Sequence, residues 1–442
     1  MPSPAPRSLF TWLALGLAPA ALLAGILIVW LRPGAPPAAR APGPVLATYE
    51  ELSNSHFTPA PADPYRAPDL SPVALPFFPG AHAVWGATGR DSRGHVWFGV
   101  SAADVPAPSA HLYEYVPESR ELFDRGDVIT RLRECGAYRA GEGQMKIHSR
   151  IVQAQDGLLY FASLDEQGES EDGSRLPTWG SHLWRLRPAD NRWEHLAAVP
   201  EGLVAVAGGG RYVYALGYFG HVLYQYDCQA GKLASVRVGS VGGHVSRNLL
   251  ADDRGHAYVP RLRSGPGGAP DPVASLVEFD PSLRPVRETR LAHYIETAPE
   301  ECHGIVAFQY LADRSIAFVT HPGYLYRVMP SEYAGGLVAP EGWMHPAGRA
   351  YVASLFTFDG KRFVMGASCR DSGGAREYEW VVHDLETQSA RAFPLRVPVR
   401  GEGLLLYGSV TRDDRGDFYL VGADAARARS TPVVFRARAP GS

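Results

Sequence analysis

Lysine is almost missing from this chain of 442 residues: Lys146, Lys232 and Lys361 are the only three among 43 basic residues. Schiff-base or lysine general-base chemistry therefore has three candidates at most. An excess of one charge is missing too. A formal net charge of -3 leaves no cationic surplus to displace counterions from a phosphate backbone, so nucleic acid is not an expected partner. Cysteine is scarce, with Cys135, Cys228, Cys302 and Cys369 in no C-x-x-C spacing, which leaves three full pairings open and excludes a thioredoxin-like motif. G-x-S-x-G, H-E-x-x-H, P-loop and EF-hand patterns are also missing, and the linear motifs of serine hydrolases, zincins, nucleotide loops and calcium loops go with them.

Turn formers are what the chain has in quantity. With 47 Gly, 37 Pro and hydrophobic residues at 45%, it has material for a large core and for many turns, which points to an all-β fold. The N-terminus is a separate matter. Leu9 to Leu31 carries no charge and is flanked by Arg7 and Arg32, long enough to cross a bilayer as an uncleaved signal anchor. A cleaved signal is the alternative, although the one A-x-A, Ala39-Arg40-Ala41, lies well past the apolar run. The expected division is a cytoplasmic stub at 1–8, a transmembrane helix at 9–31, a Pro/Ala-rich stalk and linker at 32–70, and a folded extracytoplasmic (periplasmic) domain at 71–442.

That domain repeats. Arg93-Gly94 precedes His95 to Gly99, Asp156-Gly157 precedes Leu158 to Ala162, and Gly209-Gly210 precedes Tyr212 to Tyr214. The series continues at Arg254-Gly255, Asp313-Arg314, Asp359-Gly360 and Arg415-Gly416, a tight turn before a β-rich run in all seven cases. Each hairpin is followed by a second alternating run, such as Leu112 to Tyr115 or Leu223 to Tyr226. The spacing of about 54 residues suits a seven-bladed β-propeller of four-stranded blades. The chain stops after the third strand of the seventh unit, and Val73 to Phe78 is a lone β-rich segment before the first. It is expected to supply the missing outer strand and close the ring.

In such a fold the long loops and the entries to the innermost strands share one face, where binding groups are usually carried. Lengthened loops are expected at 101–110, 164–180, 261–271, 369–377 and 423–431. The acidic one, with Asp165, Glu166, Glu169, Glu171 and Asp172, reads as solvated. His148, His244 and His303 lie at inner-strand entries. Ser149-Arg150 and Ser246-Arg247 begin two closely matching stretches, so His148, Arg150, His244 and Arg247 are expected to converge near the axis. Lys146, His148 and Arg150 alternate and share one side of their strand. Lys146, Arg150 and Arg247 are the candidate ligand-binding groups, since a guanidinium fork suits a carboxylate or phosphate. His111, His182 and His221, each ahead of a third strand, read as caps.

The Asp91 to Gly99 and Leu112 to Tyr115 elements resemble blades of the streptogramin (virginiamycin B) lyase-like propellers over roughly residues 80 to 437. The resemblance implies a seven-bladed fold and a metal-dependent lyase with histidines on one face. It implies one divalent metal at His148, His244 and His303, with His148 and His244 as catalytic groups. Two further readings stand beside a lyase acting on a carboxylate-bearing, polyuronate- or lactone-like substrate. One is a noncatalytic propeller binding an anionic small molecule, an envelope polysaccharide or a protein partner; the other is a structural subunit of a membrane complex. The lyase reading requires the three histidines to share one centre. The anchor has its own test: the full chain should sediment with membranes, whereas a form starting at Leu46 should not, and finding the full chain in the soluble fraction would remove the anchor.

Overall fold

A computed structural model describes residues 57–442, apart from 171, 219–220, 242, 266–271, 296–301, 332–334, 373–374, 399–402, 426–428 and 439–442. In blades one, four and seven the hairpin starts at an aspartate. Asp91 Oδ1 accepts the backbone N–H of Arg93 (2.9 Å) and of His95 (3.1 Å), while Gly94, at φ 80°, turns the chain back. Asp252 does the same for Arg254 and His256, and Asp413 for Arg415 and Asp417. The second carboxylate oxygen accepts from an aromatic six residues on, namely Trp97, Tyr258 or Tyr419. An Asp-x-x-Gly stretch is thus a prefabricated hairpin whose aspartate is satisfied on both oxygens, which is why it recurs.

The hairpins build seven antiparallel sheets. β1 (Asp69–Pro72) comes first in the chain. Blade one has β2 (Ala81–Ala83) and β3 (Thr88–Arg90) sharing its inner position, then β4 (Val96–Ala102), β5 (His111–Val116) and β6 (Glu121–Asp127) outward. A helix that the hairpin pattern did not foretell, α1 (Val128–Glu134), follows, capped by Asp127 accepting from Thr130 N at 3.0 Å. Blade two holds β7 (Lys146–Ile147) and β8 (Val152–Gln153) inside, with β9 (Leu159–Leu164), β10 (Ser181–Arg187) and β11 (Arg192–Val199). Blade three is β12 (Leu203–Gly209), β13 (Tyr212–Gly217), β14 (Val222–Asp227) and β15 (Lys232–Arg237). Blade four is β16 (Leu250–Ala251), β17 (Ala257–Arg263), β18 (Val273–Phe279) and β19 (Pro285–Arg290). Blade five is β20 (Ile305–Tyr310), β21 (Ile316–Thr320), β22 (Tyr324–Met329) and β23 (Leu337–Trp343). Blade six has β24 (Tyr351–Val352) and β25 (Phe356–Thr357) inside, then β26 (Phe363–Ser372), β27 (Ala375–Asp384) and β28 (Ser389–Pro394). Blade seven is β29 (Leu404–Tyr407), β30 (Phe418–Asp424) and β31 (Thr431–Arg438), with β1 outermost.

Second strands are buried on both faces because neighbouring blades pack against each side. Trp97 and Phe98, adjacent on β4, point opposite ways. Trp97 joins a core cluster with Phe161 and Trp184 of blade two, and Phe98 meets Tyr419 of blade seven. Ring closure comes from β1, four residues earlier than Val73 to Phe78. Asp69 pairs with Arg438 and Pro72 with Phe435. Only Val73 continues the ladder, donating to Val434 O at 2.8 Å. Pro76 and Pro79 cannot donate, and the run leaves the sheet with Phe77 87% exposed.

Residues 57–68, expected in the linker, also belong to this body. Thr58 N donates to Phe358 O, and the Tyr65 ring meets Phe363 edge-on at 5.8 Å. Blade six departs from its expected long loop as well. β26 and β27 stay paired from Phe363↔Asp384 to Ser372↔Ala375, so the stretch is an extended hairpin arm. None of the four cysteines is in a disulfide. Among the described residues no helix is long and apolar enough to cross a membrane, and the anchor proposed at 9–31 lies outside them. A chain beginning at Val73 should be less stable than one beginning at Phe57 by roughly 3–6 kcal/mol, the usual worth of a short ladder plus the Leu70 and Tyr65 side chains. Equal urea midpoints for the two would refute closure by β1.

Candidate functional site

Two adjoining cavities open where the inner strands begin. One, of about 210 Å³, is lined by Trp85, Lys146, His148, Glu166, Glu169, Val204, Tyr218, Val245, Arg247 and His303. The other, of about 550 Å³, shares Trp85, Arg247 and His303 and adds His321, Tyr351, Cys369, Arg376, Tyr378, Leu405, Leu406 and Tyr407. These groups come from entries to inner strands or from the loops and arm joining second to third strands. One face of the ring therefore gathers side chains from all seven blades.

Arg247 stands where the cavities meet. Its guanidinium lies 4.9 Å from the Tyr407 ring centroid, and Nη1 donates to Tyr351 Oη at 3.3 Å. Among the described residues no carboxylate pairs with it. Trp85 packs on Tyr407, 4.4 Å between centroids, and Lys146 Nζ sits 4.7 Å over the Trp85 ring. Trp85 Nε1 and His303 Nδ1 are buried with no hydrogen-bond partner, although both residues line the cavities. Unmet polar groups around an uncompensated cation are what a bound acceptor would satisfy.

The histidines here are neutral. Burial, with the charge of Arg247 and the neighbouring His321 and His148, pushes His303 down to about 2. Burial and then Arg247 bring His321 to about 4, and burial, Arg247 and Lys146 hold His148 well below its ordinary value. His321 Nδ1 accepts the His303 backbone N–H at 2.9 Å, so its ring proton is on Nε2. His148 Nδ1 lies 3.3 Å from Val204 O and must donate, which leaves the Nε2 lone pair free.

The acidic loop after β9 is not merely solvated. Glu166 pairs with Lys146 at 2.5 Å, and Glu169 accepts from Tyr218 Oη. Burial and the nearby Glu166 raise Glu169 to about 7, against the opposing Tyr218 hydrogen bond and Lys146. Lys146, expected as a ligand group, is thus already neutralised from within the chain.

Of the expected site residues, Lys146, His148, Arg247 and His303 line the cavities, and His244 and Arg150 do not. His244 is fully buried, with Nδ1 2.9 Å from Ser240 Oγ and Nε2 2.8 Å from Tyr294 Oη. The reason is local: His148 is two residues before Arg150, but His244 is three before Arg247 and follows Gly243, whose φ of 75° turns the chain. The three-histidine metal set is therefore not assembled, and the shared centre that the lyase reading required is missing. Among the described residues, the one group of three His, Cys, Asp or Glu residues with ligand atoms all within 4.8 Å of one another is Asp91, His95 and Glu114. It is already an ion-pair network, because Arg93 donates to both carboxylates at 2.6 Å and Arg125 to Glu114. Blade four repeats it with Asp252, Arg254, His256 and Glu278.

The capping histidines are internal to the fold. His111 bonds Asp124, His182 bonds Glu142 and His195, and the buried His221 lies 4.6 Å from the His244 ring. Trp85, Tyr351 and Tyr407 were missed, although like His148 they stand at inner-strand entries and that rule would have found them. His321 and Tyr218, which follow second strands, and Arg376 and Tyr378, on the blade-six arm, carried no sequence signal.

No family model matches the chain, and no curated relative matches it. Solved propellers do. The WD40 repeats of RRP9 share 12% identity with a TM-score of 0.48, covering 84% of this chain and 99% of that one. The β-propeller domain of the Trilobed protease from Pyrococcus furiosus shares 10% at 0.45, covering 82% and 94%. A fungal alcohol oxidase of the AA5 family, in complex with copper, shares 11% at 0.49, covering 85% and 76%. The chain is similar to these as a propeller, and at such identities the similarity says nothing of activity.

The raised Glu169 makes a pH prediction. Between about 4.5 and about 7 the folded chain holds a proton that the unfolded chain has released, so this residue's contribution is largest at acid pH and declines as pH rises through about 7. The stability of the wild type relative to Glu169→Gln, from urea midpoints, should fall across that window and then level. A difference independent of pH would refute the assignment.

Proposed function

We propose that this chain is a membrane-anchored, extracytoplasmic binding propeller that takes a carboxylate- or phosphate-bearing organic ligand at Arg247. The observation that carries the reading is the state of Arg247, a cation with no carboxylate partner among the described residues, at the junction of two cavities and framed by aromatic rings. Trp85, Tyr351 and Tyr407 would supply flat apolar surface to the body of the ligand while Arg247 holds its charge. Neutral His148, His303 and His321 add hydrogen-bonding groups without adding charge. An anionic end of an envelope polymer meets the same requirements as a free small molecule.

The test is calorimetric titration with a panel of uronic acids and phosphate monoesters. At least one should bind the wild type, and Arg247→Met should weaken it roughly tenfold to a hundredfold, the worth of a lost charge-assisted hydrogen bond. Arg263→Met, a change at an exposed arginine paired with Glu288, should leave affinity unchanged. Binding that survives in Arg247→Met, or no binding by any member of the panel, would overturn the reading.

A further inference from the structure

Among the described residues four arginines are buried: Arg90, Arg150, Arg412 and Arg436. Three have carboxylates beside them. Arg90 pairs with Asp414 and Arg436 with Asp417, while Arg412 donates to Thr357 O and Phe358 O with Asp413 and Asp417 close by. Arg150 has none. It is 7% exposed, its Nε has no hydrogen-bond partner, and among the described residues nothing accepts from its guanidinium.

Arg150 lies between β7 and β8 on the innermost position of blade two, and its guanidinium sits 4.4 Å from the ring centroid of Phe308 on blade five. Blades two and five lie on opposite sides of the ring, so this contact spans the axis. Tyr310 is the polar side chain beside the guanidinium, and its hydroxyl donates to Ala251 O at 2.8 Å. Burial lowers Arg150 only to about 10, so it is charged at neutral pH. A guanidinium buried this far without a counter-charge is costly, and the chain supplies none.

We propose that Arg150 holds a small monovalent anion, of the size of chloride or nitrate, on the propeller axis. The guanidinium donates to it through its free N–H groups, and the anion ties blade two to the opposite side of the ring. Arg150 lines neither face cavity, so this site is separate from the one at Arg247.

The experiment compares thermal unfolding of the full chain, in neutral detergent, as sodium methanesulfonate is exchanged for sodium chloride at constant ionic strength. Wild type and Arg247→Met should both gain about 2 °C when chloride reaches tenfold over its Kd, and Arg150→Met should gain nothing. An equal response in Arg150→Met, or none in the wild type, would overturn the proposal. Crystals of the wild type soaked in bromide give a readout that does not depend on the variant folding. An anomalous peak within hydrogen-bonding distance of Arg150 is expected, and its absence at saturating bromide would reject the site.

Discussion

The antiparallel ladder between Asp69–Pro72 and Thr431–Arg438 is the contact on which the rest of the propeller depends. Each blade buries its second strand only because blades stand on both sides of it. Blades one and seven have that second neighbour only if the ring is shut. Closure by a strand from the start of the chain ties the two ends of the fold together. It also holds Trp85 of blade one against Tyr407 of blade seven, which form one wall of the candidate site.

The charges in this ring divide into those the chain neutralises and those it does not. Arg93, Arg254 and Arg362 are spent on carboxylates at blade turns, and Lys146 is spent on Glu166. Among the described residues Arg247 and Arg150 have no carboxylate partner, one in the face cavities and one on the axis. They occupy equivalent places in two matching stretches, each following a serine whose hydroxyl accepts a backbone N–H: Ser149 from Ala162 and Ser246 from Ile305. Their different surroundings come from neighbouring blades. Arg150 meets Phe308, and Arg247 meets Tyr351 and Tyr407.

The same turn chemistry explains why a histidine-rich face need not be a metal centre. His95 and His256 sit beside carboxylates in a form that resembles a ligand set, yet an arginine from the same turn already occupies those oxygens. The inner-face histidines are instead held neutral by burial and by nearby cations. That leaves them as hydrogen-bonding groups around Arg247 and fits a site built to receive an anion.

The architecture was legible in the sequence because it is written locally. In blades one, four and seven an aspartate that caps its own turn, a glycine with positive φ and an aromatic six residues on lie within seven positions of each other, and the wider pattern of a tight turn before a β-rich run counts the blades. The placement of Lys146, His148, Arg247 and His303 on one face followed from the same count. Three things did not follow. The closing strand lay four residues from its expected place, because which part of a Pro-rich run pairs is decided by the partner strand and by which residues retain an N–H. His244 turned away from the cavities, because Gly243 turns the chain just before it and Ser240 and Tyr294 take up its ring. The aromatic frame of the site and the neutralisation of Lys146 by a loop twenty residues later arise only when separate blades meet. The sequence by itself determined the repeating unit and the face that carries its loops. Tertiary packing decided which side chains share a cavity and which cations remain uncompensated, because both are properties of neighbours that only ring closure brings together.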